Sequence, residues 1–289
     1  MHRKIAVIDI GSNSVRLMFV ADGKILYKDL EITRLGEGLA ASGVLSSVAI
    51  QRSALAVQRF AERAKSEGAE IVCAFATAAV RSAKNGGDFV SAVKELCGVE
   101  VDVISGEEEA EIGILGALGN RDGGVIDIGG ASTEIVVKKD GALIYKKSVN
   151  IGVVRLKDMC GRDRAALERV ANEASKQYGE IPLGDTIYAI GGTATTLTAQ
   201  VLGLQTYTSD AITGAEVSVD DMQALTDKLL SMSVEEIAAL PCMPKGRADV
   251  LTGGAVLFTV LMKNLGFTRI IASDRDNLEG YAIKKGLME

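Results

Sequence analysis

The sequence predicts an α/β protein of two similar halves, each running βββαβαβα, that face one another across a cleft. The first observation behind this is a repeat: VIDIGSNSVRL starts at Val7 and VIDIGGASTEI at Val125, and the stretches that follow, VADGKILYKD and VKKDGALIYKK, correspond at the same offset. About ten of roughly twenty-two aligned positions are identical, as in an internal duplication. The second is an alternation of short apolar strand patterns with helical ones, as in crossover units over a mixed sheet. The third is composition: 289 residues, 47% hydrophobic, no Trp and 32 Gly, the usage of helices packed on buried strands.

Taken in order, Ile5 to Ile10, Val15 to Ala21 and Lys24 to Leu30 read as strands, with Asp22-Gly23 as a hairpin signal between the last two. A helix is predicted from about Ser46 to Ser66, then strand Ile71 to Phe75, a helix after Asp88, a strand in VEVDVI and a helix from Glu107 to about Leu118. The second half restarts at Val125 with three strands and Asp140-Gly141 at the hairpin. Helices are expected near Val154 and from Arg164 to Tyr178, and strand TIYAI runs into GGTATTLTA. Further helices span Asp220 to Ser231 and Arg247 to Lys263, strand RIIAS follows, and a last helix starts near Asn277. The turn-rich NRDGG marks the boundary, giving domains 1–121 and 122–289, with the last helix free to pack back onto the first.

A net charge of -6 disfavours generic capture of nucleic acid, so an anionic ligand needs a local pocket or a metal. Cys73, Cys97, Cys160 and Cys242 show no C-x-x-C spacing, which argues against a metal cluster or disulfide framework and for a reducing compartment. The start MHRKIAVIDI is too short an apolar run for a secretory signal, and no stretch approaches the roughly eighteen uncharged apolar residues of a membrane span. A cytoplasmic protein without membrane partners is expected. The one histidine, at position 2, nearly excludes triad chemistry and histidine-ligated zinc, leaving carboxylates, hydroxyls and backbone amides to do the work.

In DIGSNS, Asp9 ends a strand and Gly11 allows a tight turn. Ser12, Asn13 and Ser14 offer amides and hydroxyls to phosphate, and Arg16 could meet one bidentately. In DIGGASTE, Asp127 ends the equivalent strand, Gly129 and Gly130 bring amides close, and Thr133 and Glu134 replace Val15 and Arg16. Asp127 and Glu134 suit hard, oxygen-ligated Mg²⁺. Gly191, Gly192 and Thr193 open a helix whose free amides can face phosphate. Ser105 with Glu108 fits a capping box, whereas Glu109 shares a helical face with Gly113 and Gly116 and is a candidate to orient water; spacing alone does not choose between the two glutamates. Arg34, Arg81, Lys245 and Arg247 read first as surface cations that together could offset the acidic balance.

DIGSNSVRL, TRLGEG, ATAAVRSAKNG, ISGEEEA, DIGGASTE, AIGGTATTLTA, PKGRADVL and SDRDNLEG together resemble the exopolyphosphatase and guanosine pentaphosphate phosphohydrolase family, within the actin-like ATPase superfamily. The eight stretches cover nearly the whole chain in family order. The resemblance implies two ribonuclease-H-like domains with the active site between them, Mg²⁺ dependence (Mn²⁺ as a substitute), a homodimer, and removal of terminal phosphate from polyphosphate or a nucleotide polyphosphate. It implies Glu109 as catalytic base, Asp127 and Glu134 as catalytic or metal carboxylates, and phosphate contacts from Arg81 and from the glycines and hydroxyls of both turns, Ser132 included. Ala131 replaces the usual third glycine of DIGGGSTE, and Asp276 and Asn277 depart from the usual S-D-x-G-L-R-E-G. Long members of the family carry extra helical domains, so short substrates are expected. A phosphotransferase, or a sensor that binds without turnover, are the competing readings.

Overall fold

The structure, a computed structural model, describes residues 3–288, so His2 lies outside the described residues. The first half runs β1 (Lys4–Ile10), β2 (Ser14–Ala21), β3 (Lys24–Ile32), α1 (Leu39–Ser42), α2 (Ser47–Ser66), β4 (Ile71–Ala76), α3 (Ala78–Ser82), α4 (Gly86–Cys97), β5 (Val101–Val103) and α5 (Gly106–Leu118). The second runs β6 (Gly123–Ile128), β7 (Thr133–Lys139), β8 (Ala142–Val149), α6 (Val153–Cys160), α7 (Arg164–Lys176), β9 (Thr186–Ile190), α8 (Gly191–Val201), α9 (Ser209–Ile212), β10 (Glu216–Ser218), α10 (Val219–Ser231), α11 (Val234–Ala238), α12 (Ala248–Leu265), β11 (Arg269–Ala272) and α13 (Asn277–Lys284).

Each half begins as an antiparallel meander because Asp22-Gly23 and Asp140-Gly141 all take positive φ, between 53° and 76°, the conformation a two-residue hairpin needs. Parallel strands then join on the other side of β1 and β6. The sheets read β3-β2-β1-β4-β5 and β10-β11-β9-β6-β7-β8, so the second repeats the order of the first and adds one strand. That strand, β10, departs from the expected βββαβαβα: three residues pair antiparallel with β11 at the sheet edge, a run too short to show a period.

Helix α2 lays Ala49, Val57, Phe60, Ala61 and Ala64 on the first sheet, and Ser46 caps its start by accepting from the amide of Ala49. In the second half α12 is the central helix of the largest core. It is long and apolar enough to match a membrane span by length and composition, although it carries Asp249 and Lys263, and 72% of that window is buried inside the protein. Its apolar surface is spent on Leu156, Leu167, Leu225 and their neighbours.

The two halves exchange their last helices. Helix α5 buries Ala110, Ile114 and Leu118 against Val125, Val136 and Ile190 of the second sheet. Helix α13 buries Leu278, Tyr281 and Ala282 against Ile5, Val7, Met18 and Phe75 of the first, with the Phe75 and Tyr281 rings stacked at 4.5 Å. The helices cross backbone to backbone: a first side-chain carbon at Gly280 would lie 1.7 Å from the Ile112 carbonyl oxygen, and one at Gly116 would lie 1.9 Å from that of Asp276. Only glycine permits this crossing. It brings Glu109 of α5 and Asn277 of α13 to the wall of one cavity.

Candidate active site

Register explains why the repeat exchanges an arginine for a glutamate. Asp9 on β1 lies opposite Arg16 on β2, and Asp127 on β6 lies opposite Glu134 on β7. In both turns the glycine amide donates to a serine carbonyl at 2.9 Å, Gly11 to Ser14 and Gly129 to Ser132. The same turn thus presents an opposite-charge pair in one half and a like-charge pair in the other. The turns meet across one cavity lined by Asp9 and Asp127 alike. They approach so closely that a side-chain carbon at Gly130 would lie 2.7 Å from Cβ of Ser12.

The first turn is internally neutralised. Arg16 Nε donates to Asp9 Oδ2 at 3.0 Å, and the same guanidinium bonds Asp276 from the start of α13. Burial opposes the charge of Arg16, yet Asp276 and Asp9 outweigh it and raise its pKa. Arg16 lines the cavity but is committed to these two carboxylates rather than open to a phosphate. Behind the turn, the amides of Thr33, Arg34 and Gly36 fasten the carbonyls of Asn13 and Ser12.

The second turn is not neutralised. Ser148 Oγ donates to Glu134 Oε1 at 2.6 Å, while the buried Glu134 Oε2 has no hydrogen-bond partner among the described residues. Asn277 Nδ2 donates to Asp127 Oδ2 at 3.0 Å. The other oxygen, Oδ1, fits against Gly191, where φ is +79° and an added side-chain carbon would come within 2.4 Å. Burial, then the charges of Asp276 and Glu109, push Asp127 up to about 8. Burial, then Glu109 and Asp127, raise Glu134 well above the usual carboxylate range.

On α5, Ser105 and Glu108 close the capping box, which leaves Glu109 for the cavity. Glu109 is buried and accepts from Arg81 Nη1 at 3.0 Å; that nitrogen also donates to the Ile104 carbonyl at 2.9 Å. Burial outweighs Arg81 and raises Glu109 to about 7.

The cavity wall brings together Asp9, Gly11, Ser12, Asn13, Ser14, Arg16, Glu109, Asp127, Gly129, Gly130, Ser132, Gly191, Gly192 and Thr193. Thr193 spends its hydroxyl on the Ile128 carbonyl, at 2.8 Å. Four expected residues do not line the wall. Thr133 donates to the Ile151 carbonyl at 2.7 Å, Glu134 sits in a buried pocket with Ser148, Arg81 stands beside Glu109, and Arg34 is drawn away by an ion pair with Asp249 at 2.9 Å.

Sequence reasoning missed three polar residues of the wall. Arg247, read as a surface charge, is buried, with Nη1 donating to the Gly192 carbonyl at 2.7 Å and Thr196 Oγ1 at 2.9 Å. Asn277 arrives on the last helix, and Thr77 on the corner between β4 and α3. That corner is the first half's counterpart of the β9–α8 corner, so extending the repeat past the turns would have found Thr77. Among the described residues, no three His, Cys, Asp or Glu side chains converge as a ready-made metal cage.

The Ppx/GppA phosphatase family model matches residues 17–287. The chain belongs to the Ppx/GppA phosphatase family. Exopolyphosphatase 2 of Mycobacterium tuberculosis is 31% identical to it over 97% of this chain and 98% of that one. Among solved Ppx/GppA structures, the Aquifex aeolicus family member superposes with a TM-score of 0.80 at 28% identity, covering 99% of this chain and 98% of that one. An exopolyphosphatase from Cytophaga hutchinsonii shares the fold with a TM-score of 0.86 at 24% identity, covering 99% of both chains. The family resemblance is thereby shown, and with it the two-sheet α/β fold of solved Ppx/GppA proteins.

Proposed function

We propose that this Ppx/GppA phosphatase is a Mg²⁺-dependent phosphohydrolase that releases terminal orthophosphate from a short polyphosphate or a nucleotide polyphosphate. The carrying observation is the like-charge pair. Two carboxylates placed directly opposite on adjacent strands are destabilising, and here Asp127 and Glu134 are pressed together in the register where the first half has an ion pair. Hard oxygen donors, an unpartnered Glu134 Oε2 and raised pKa values are what a divalent cation would relieve. Mg²⁺ usually takes one or two carboxylates and completes its shell with water and substrate phosphate, so the two carboxylates Asp127 and Glu134 are a sufficient protein contribution. Mn²⁺ would satisfy the same donors. When bound, the ion supplies charge neutralisation to phosphoryl oxygens.

The chain's own groups do the rest. Amides at Ser12 and Asn13 and at Gly130 to Ser132 hold phosphate from two sides, and the first turn of α8 points its free amides at the same cavity. Glu109 orients a water and takes its proton; a carboxylate raised to about 7 is suited to this near neutral pH. Arg81 fixes the carboxylate that does so. Little covalent chemistry is demanded of the protein, because positioning and charge stabilisation carry most of phosphoryl transfer. Orthophosphate release from inorganic tripolyphosphate, long polyphosphate, ATP and guanosine pentaphosphate, with Mg²⁺ and without any acceptor, tests this reading. Glu109→Gln is expected to lower kcat by roughly 10²–10⁴-fold with substrate still bound; turnover at the wild-type rate by the variant would refute the role.

A further inference from the structure

The meander of each half sets three residues side by side across its sheet. In the first half they are Asp9, Arg16 and Leu30, and in the second Asp127, Glu134 and Ser148. Side chains at facing positions of neighbouring strands share one face. Arg16 is drawn to Asp9, and β3 places only Leu30 beside it. Glu134 is repelled by Asp127, and here the third strand supplies a hydroxyl: Ser148 Oγ donates to Glu134 Oε1 at 2.6 Å.

Because β7 lies between β6 and β8, Ser148 stands on the side of Glu134 away from Asp127. The hydroxyl pulls the glutamate against the repulsion of the aspartate and so fixes the gap between the two carboxylates. It also divides the oxygens of Glu134 by task. Oε1 is spent on Ser148, and Oε2 is buried without a hydrogen-bond partner among the described residues. Although β8 is the edge strand of its sheet, this hydroxyl turns inward and is packed by the first residue of α5. A side-chain carbon at Gly106 would lie 3.3 Å from Ser148 Oγ and 3.6 Å from Arg81 Nη2. One helix start thus closes over the holders of two buried carboxylates, Arg81 on Glu109 and Ser148 on Glu134.

Resting on the Mg²⁺ reading above, we infer that Ser148 is a positioning residue for the cation: it holds one oxygen of Glu134 so that the other is presented to a divalent ion, with the spacing from Asp127 fixed. Ser148 does not line the cavity and acts through Glu134. Hydrogen bonds of this kind to a ligating carboxylate govern metal affinity by roughly 10–100-fold.

The test titrates Mg²⁺ and Mn²⁺ into the metal-free full chain by calorimetry, in wild type, Ser148→Ala and Ser148→Thr. Ser148→Ala is expected to weaken binding of both ions by roughly 10–100-fold, and Ser148→Thr, which keeps the hydroxyl, to restore it. In orthophosphate release from inorganic tripolyphosphate, the Mg²⁺ concentration giving half the maximal rate should rise by the same factor in Ser148→Ala, with kcat at saturating Mg²⁺ retained. Unchanged ion affinity in Ser148→Ala overturns the assignment, as does a Ser148→Thr chain that binds as weakly as Ser148→Ala. Should Ser148→Ala fold poorly, Ser148→Cys, close in shape but a weak donor, takes its place with the same two outcomes. If the wild-type chain binds neither ion, the Mg²⁺ reading fails by itself. Crystal structures of the wild-type and Ser148→Ala chains then decide whether Ser148 holds the carboxylate: Glu134 turned from its place supports it, and Glu134 unmoved refutes it.

Discussion

Glu109 and Asp127 are ordinary residue types made unusual by their surroundings, and each gives a pH signature. Burial holds Glu109 at about 7 against the pull of Arg81. Activity that needs the ionised base rises as pH climbs through that value. Arg81→Gln removes the lowering influence, so the acidic limb of the kcat/KM profile should move to higher pH; a limb that stays in place would detach Arg81 from Glu109. For Asp127 the consequence is for stability. Its folded value of about 8 lies above the roughly 4 of an unfolded carboxylate. Between these values the folded chain keeps a proton that the unfolded chain has released, so this group subtracts stability as pH rises from about 4 to about 8 and costs nothing below that window. Calorimetric Tm of the protein in EDTA should fall over this range, and Asp127→Asn should flatten the fall. Equal slopes would contradict the burial argument. At this scale the aspartates and the glycine turns were legible because the repeat wrote them twice. Glu109 over Glu108 was not, since the capping box and the cavity divide two adjacent carboxylates only once α5 is placed.

The elements were legible wherever a period had room to show. The meanders, α2, α7 and α12 fall close to where apolar spacing puts them, because each spans several residues on one buried face. Strand β10, of three residues, and α9, of four, offer too little pattern to read. What no local pattern shows is the partner of each helix. The crossing of α5 with α13 depends on Gly116 and Gly280, 164 positions apart in a chain of 289. A branched side chain at Gly280 has nowhere to go with a carbonyl oxygen 1.7 Å from its first carbon. Gly280→Val should therefore cost about 3 kcal/mol or more in urea unfolding, the upper end of overpacking. Activity should fall with it, because Glu109 and Asn277 ride on the two helices. A variant of unchanged stability would show that the helices can part without loss.

Across the whole molecule, the tie between the halves is a chain of charge: Asp9 to Arg16 to Asp276, with Lys28 held by Glu279 beside it. Asp276 and Asn277, the two departures from the family pattern, prove to bond Arg16 and Asp127 respectively. Their contacts lie 260 and 150 residues away along the chain, which is why the letters alone left them open. The same distance hid Arg247 and misplaced Arg34, since a loop cation can be assigned to surface or site only after the loops have met. Asp276→Ala leaves Arg16 buried with one carboxylate fewer and should destabilise the protein by about 3–5 kcal/mol, as when one partner of a buried pair is deleted. Chemical denaturation measures this, and a loss below about 1 kcal/mol would mean that the charges relax into solvent.

The exchanged helices also put folding on a clock. The face of the first sheet made by Ile5, Val7, Met18, Val20 and Phe75 receives its cover from Leu278, Tyr281 and Ala282, which are synthesised only after the whole of the second sheet. At ordinary synthesis rates, on the order of 10–30 s pass between the emergence of α5 and that of α13. Through that interval an apolar face waits partly uncovered, a natural client for a chaperone and the place where aggregation of a nascent chain would begin.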